Sequence, residues 1–191
     1  MGEEDLVRDA LMHPVGTPRL KELARGKDNI VMIASDHTRP VPSKVIMPAV
    51  LEEIKQGNPD AEITVLIATG FHRPTTREEL ISKFGEDMVD HPDIRFVVHE
   101  SGKPEDMVSL GKLPSGGELL INKIAWEADL LISEGFIEPH FFAGFSGGRK
   151  SVLPGVSSRT TVLANHCSEF IDDSHARTGI LEGNPIHRDM I

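Results

Sequence analysis

Three polar segments hold most of the side chains able to do acid–base or anion chemistry. They are Ser35-Asp36-His37-Thr38-Arg39-Pro40, Thr69-Gly70-Phe71-His72-Arg73-Pro74, and a longer stretch from Ser133 to Ser151 that contains Glu138-Pro-His140 and Gly144-Phe-Ser-Gly-Gly-Arg-Lys150. Each pairs an imidazole with an arginine. Imidazole is the side chain whose unperturbed titration lies closest to neutrality, so His72 and His140 are candidate proton acceptors and donors. The planar guanidinium of Arg39 suits a carboxylate or a phosphate. His37 is open between capping or pairing with Asp36 and a functional role. His91 and His99 read as structural, and His13, His175 and His187 as surface residues.

The glycine loop fails one motif and leaves others open. In G-x-x-x-x-G-K-[ST] a glycine precedes the lysine, whereas here Arg149 does, which disfavours an ATP or GTP P-loop. Gly147 and Gly148 can still turn backbone N–H groups toward a phosphate, with Arg149 or Lys150 supplying charge. A flexible turn before Leu153-Pro154-Gly155 is the plain alternative. A lysine in a Gly-rich, Phe-flanked loop is also a candidate for a lowered pKa and covalent attachment. His166 falls on a predicted helix from Ser158 to Phe170, on one stripe with Val162, Leu163 and Phe170, where it is either a core residue or a ligand. Cys167 is offset by about 100° around that helix and reads as a buried, inert thiol.

Strand and helix signals alternate around these segments. Asn29–Ser35 and Glu62–Ala68 are continuous apolar, β-branched runs of the kind covered on both faces, with further strands at Asp93–His99 and Asp129–Ser133. Ser43–Lys55 is helical, and Thr75 or Thr76 opens a helix with a glutamate three residues on. Met107–Ala128 carries short strand-like pieces around Pro114–Gly117. Residues 1–28 suggest two short helices around Pro14–Pro18. Asn184-Pro185 starts a helix only six residues before the last one, so the chain reads as a fragment of something longer. The alternation predicts an α/β fold over residues 1–191: one Rossmann-like domain with a mostly parallel sheet and helices on both faces. The three polar segments then lie at the carboxyl ends of strands, where open parallel sheets bind ligands.

Composition narrows the function. Over 191 residues, 30 acidic side chains against 20 basic give a net charge of −10, which argues against nucleic acid or an anionic membrane as partner. The single cysteine excludes an internal disulfide framework and fits a cytoplasmic location. The acidic start lacks a secretion signal, and no apolar run is long enough to span a bilayer.

Asp36-His-Thr-Arg-Pro40, Thr69-Gly-Phe-His-Arg-Pro74, Glu138-Pro-His140, Ser146-Gly-Gly-Arg-Lys-Ser-Val-Leu-Pro-Gly155 and Asn165-His166, taken in this order, resemble the nickel-dependent lactate racemases. The likeness covers nearly the whole chain, but only the N-terminal domain of such enzymes. It implies a nickel pincer nucleotide, a pyridinium mononucleotide whose two sulfur-bearing arms hold nickel. By position Lys150 looks like its thioamide tether, with Gly147, Gly148 and Arg149 in the cofactor loop, and His166 looks like the protein ligand to nickel. His72 and His140 look like the acid/base pair, and Asp36 and Arg39 like residues that orient imidazole and substrate.

The chemistry so implied is racemisation of a 2-hydroxy acid, lactate by default. Hydride leaves the α-carbon for the cofactor while a histidine takes the hydroxyl proton; return to either face of the planar keto acid interconverts the enantiomers. The expected partners are the substrate, a C-terminal domain and the enzymes that make the cofactor. Two other readings stay open on the residues alone: a divalent-metal hydrolase using His37, His72, His140 or His166, and a phosphate- or nucleotide-binding module built on the glycine loop.

Overall fold

The computed structural model describes residues 2–191. In chain order the elements are α1 (Glu3–Met12), α2 (Leu20–Leu23), β1 (Asn29–Ser35), α3 (Ser43–Gly57), β2 (Glu62–Ala68), α4 (Arg77–Phe84), α5 (Glu86–Val89) and β3 (Ile94–Val98). There follow β4 (Met107–Lys112), β5 (Glu118–Asn122), α6 (Lys123–Trp126), β6 (Leu130–Ser133), β7 (Pro139–His140), β8 (Gly144–Phe145), α7 (Arg159–Asn165), α8 (Ser168–Ile171) and α9 (Pro185–Arg188).

The apolar runs become a parallel sheet in the order β3-β2-β1-β6. Asn29 pairs with Glu62 and Ser35 with Ala68, so β1 and β2 end level; β6 joins the other side of β1, with Ile33 opposite Ser133. The five central residues of β1 and of β2 are all buried. One face packs Met32, Val65 and Ile67 against Met47 and Ile54 of α3 and Leu80 and Phe84 of α4, with α1 and α2 outside. The other packs Val31, Ile33 and Leu66 against Ala125 of α6 and against Val152 and Val156. Helices therefore flank both faces as expected, the long ones on one side and a single turn on the other.

Local signals set several boundaries. Thr76 caps α4: its hydroxyl takes the Glu79 N–H, and Glu79 reaches back to the Thr76 N–H. Asn184 caps α9 by accepting the Ile186 and His187 N–H groups, with Pro185 at the first position. The predicted helix from Ser158 to Phe170 is instead two. It stops at His166, whose backbone leaves the helical region (φ −98°, ψ 40°), and Cys167 is extended before α8. The physical cause is tertiary. Asn165, fully buried, turns its amide to the Ile186 carbonyl at 3.1 Å and ties the chain to α9 instead of continuing it. Leu163 faces solvent rather than a core stripe, and Cys167 is only partly buried, not the sealed thiol expected.

Candidate active site

In the order β3-β2-β1-β6 the chain reverses its winding between β1 and β6, and a ligand crevice belongs at that switch point, beyond the carboxyl ends of the strands. A cavity of about 390 Å³ lies there, and Asp36, Arg39, His72, His140, Lys150 and His166 all line it. The three polar segments thus converge.

On one wall Asp36 and His72 form a dyad. Asp36 is 1% exposed. Its Oδ1 accepts the Thr38 N–H at 3.0 Å and hydroxyl at 2.6 Å, and its Oδ2 lies 2.7 Å from His72 Nδ1. Burial is the strongest single influence and pushes Asp36 up, but the hydrogen bonds from His72 and Thr38 together outweigh it, and the net shift is down. An ionised Asp36 assigns the neutral ring's proton to Nδ1, which leaves Nε2 with a free lone pair toward the cavity. His37 does not pair with Asp36. Its Nδ1 meets the Thr75 hydroxyl at 3.0 Å, because the next loop delivers His72 to Asp36 instead. Arg73 turns away and pairs with Glu79 through both terminal nitrogens, at 2.9 and 2.5 Å.

The opposite wall is built from β7, the turn after it and the glycine loop. His140 Nδ1 accepts the Ala143 N–H at 3.2 Å, and its Nε2 lies 3.1 Å from Lys150 Nζ. A ring nitrogen that accepts a backbone N–H is the unprotonated one, so the ring proton sits on Nε2 and faces Lys150. That contact is favourable when Lys150 is an amine presenting its lone pair. Burial, then Arg39 and Arg149, lower Lys150 to about 8. Burial, then Lys150 and Arg39, lower His140 to about 4. His166, at the end of α7, meets the Phe142 ring edge-on at 5.2 Å. Its Nδ1 is buried with no partner among the described residues, and burial followed by Lys150 lowers it to about 4.

The glycine loop divides its labour. Gly147 borders the cavity at φ 76°, and a Cβ there would lie 2.8 Å from the Phe136 carbonyl oxygen, so only glycine fits. Gly148, at φ 53°, has open space around its Cα. Arg149 does not line the cavity: it donates to the Ala143 carbonyl at 2.9 Å and braces the turn that follows His140. The 3-10 turn Gly148–Ser151 then points Lys150 inward.

Two carboxylates were given no role by the sequence reading. Glu134, directly after β6, is 6% exposed; one oxygen accepts the Ser43 hydroxyl at 2.5 Å and the other is buried without a partner. Burial pushes it up. Its place at the end of the strand that flanks the switch point was the available signal. Glu138 joins Arg39 Nη1 at 3.3 Å to the Ser146 hydroxyl at 3.3 Å. Among the described residues no three His, Cys, Asp or Glu side chains gather as a metal cage. No helix among them is long and apolar enough to cross a membrane.

Fold and site together define a Rossmann-like α/β domain with a ligand crevice at the switch point of its parallel sheet. The chain belongs to the lactate racemase family: the model of the lactate racemase N-terminal domain matches residues 1–179. It is 63% identical over 191 residues to the lactate racemase of Thermoanaerobacterium thermosaccharolyticum and 58% identical to that of Lactiplantibacillus plantarum. Each alignment covers 100% of this chain but 44% and 45% of those proteins, so the chain spans less than half the length of the curated relatives it matches. The apoprotein structure of the Thermoanaerobacterium enzyme superposes with a TM-score of 0.96, over 100% of this chain and 45% of that one. A Thermotoga maritima protein at 22% identity shares the fold, with a TM-score of 0.79 over 98% of this chain and 46% of its own.

Proposed function

We propose that this chain is the cofactor-bearing part of a 2-hydroxy-acid racemase, lactate being the default substrate, and that it works in the cytoplasm with a further domain and with enzymes that make its cofactor. The observation that carries the reading is the pairing across one cavity of two differently held imidazoles with a deprotonatable lysine: Asp36–His72 on one wall and His140–Lys150 on the other. Racemisation needs this asymmetry, because the substrate hydroxyl changes sides when the α-carbon inverts, and each enantiomer needs its own base.

The residues fit a nickel pincer nucleotide. Lys150 has its ammonium form disfavoured, down to about 8, within a loop whose Gly147 cannot be replaced without a clash, which suits a covalent tether. His166 offers an imidazole with an unpartnered nitrogen, and imidazole suits nickel. When bound, this group would supply the acceptor and donor of hydride at the α-carbon, chemistry no side chain provides. Arg39 holds the substrate carboxylate with guanidinium nitrogens that Glu138 leaves free. His72 Nε2 takes the hydroxyl proton of one enantiomer, with Asp36 stabilising the imidazolium that forms. His140 serves the other once acylation removes the Lys150 lone pair that favours a proton on Nε2, so that Nε2 can present its own lone pair to the hydroxyl. Once Lys150 is acylated it carries no charge, and the nearest cation holding His140 down is gone.

The test is intact mass and nickel content of the protein co-produced with the cofactor-making enzymes, wild type against Lys150→Ala. A nucleotide-sized mass gain with nickel, lost in the variant, is expected. Wild type without any adduct under those conditions would sink the proposal.

A further inference from the structure

We infer that Glu138 is an internal stand-in for the substrate's carboxylate: it occupies Arg39 in the unliganded protein and, on release, couples substrate binding to the hairpin that carries His140. The inference rests on the reading that Arg39 holds the substrate. Glu138 immediately precedes β7, the strand that contains His140, and one of its oxygens, Oε1, receives both Arg39 Nη1 and the Ser146 hydroxyl at 3.3 Å. Ser146 follows β8 and also donates its backbone N–H to the Glu138 carbonyl at 2.9 Å, closing the base of the β7–β8 hairpin. Glu138 therefore bridges the loop after β1 to the segment that leads from His140 to Lys150.

The strength of the contact suits a contact meant to yield. Both partners are more than a third exposed, and Arg39 is held through one nitrogen, at a distance longer than a good charge-assisted hydrogen bond. An exposed ion pair of this kind changes an equilibrium by no more than about fivefold. A small carboxylate engaging the rest of the guanidinium fork in two parallel bonds outcompetes it. A bidentate clamp would have closed the site, and an unpartnered arginine would leave the hairpin unattached to the loop after β1.

The test uses oxamate, an unreactive planar analogue of the keto acid, titrated calorimetrically into cofactor-free protein. Glu138→Gln should tighten oxamate about two- to fivefold. Glu138→Ala, whose side chain cannot accept the same hydrogen bond, should do so at least as much. Arg39→Ala should weaken oxamate at least tenfold and abolish the effect of the Glu138 substitution in the double variant. In cofactor-loaded protein, Glu138→Gln should lower KM and kcat together, since the freed hairpin positions His140 less firmly. Unchanged or weaker oxamate binding in Glu138→Gln overturns the inference while leaving Arg39 in its role. Equal tightening with and without Arg39 also overturns it, as a general charge effect. If Arg39→Ala binds oxamate like wild type, the carboxylate role of Arg39 fails first and the stand-in with it.

Discussion

A buried carboxylate that grips one nitrogen of an imidazole fixes the tautomer and aims the other nitrogen. Asp36 does this for His72, and His140 has no such partner; it leans on backbone N–H groups and a lysine. Asp36→Asn preserves volume but ends the preference for a proton on Nδ1. Under the proposed function it should lower kcat about a hundredfold or more with little change in KM, in steady-state kinetics on cofactor-loaded enzyme. A KM effect with kcat intact would mean that Asp36 touches substrate instead. The residue types of the site were legible in the sequence, and so was their gathering at strand ends. Their pairing was not. Asp36 and His37 are neighbours in the chain, but consecutive side chains beyond a strand leave in different directions, and the partner of Asp36 comes from the loop after β2. Glu138 was visible only as part of a motif, since its contact with Arg39 joins positions far apart in the chain.

At the scale of elements, continuous apolar runs named β1 and β2, because a strand covered on both faces has no polar alternation to confuse with a helix, and shorter runs named the edge strands β3 and β6. The capping box at Thr76 was equally local. Thr76→Ala should cost about 1 kcal/mol in urea denaturation, and a negligible loss would show that α4 is held by packing alone. The end of α7 was not legible, because what stops it is the bond from Asn165 to a carbonyl of α9. The glycine loop lies between these cases: its need for glycine could be guessed, but not which glycine. Gly147 combines positive φ with the Phe136 carbonyl against its Cα, whereas Gly148 has only the former. Gly147→Ala should therefore destabilise by about 1–3 kcal/mol and reduce cofactor attachment to Lys150 by intact mass. Gly148→Ala should cost clearly less on both readouts.

Across the whole molecule, the site is stabilised against itself. A protein of net charge −10 places Arg39 and Lys150 on one cavity with Arg149 behind it, and burial, then the repulsion of the two arginines, holds Lys150 at about 8 against its ordinary 10.5. Between those values the unfolded chain binds the proton that the folded chain has lost, so stability must rise with pH across that window. His140 is likewise depressed, from 6.5 to about 4, so stability falls as pH drops from 6.5 toward 4, where the unfolded imidazole is protonated and the folded one is not. Lys150→Met keeps the stem and removes the charge. It should raise stability at pH 7 by about 1–3 kcal/mol and flatten the rise between pH 8 and 10.5, read as the difference between urea midpoints of variant and wild type. Two parallel pH curves would show that Lys150 is solvated and unstrained. Acylation of the lysine nitrogen removes the same charge as the methionine substitution does. Under the proposed function, cofactor-loaded wild type should therefore share the variant's flat alkaline limb, with attachment relieving the cost of keeping a buried amine ready to react.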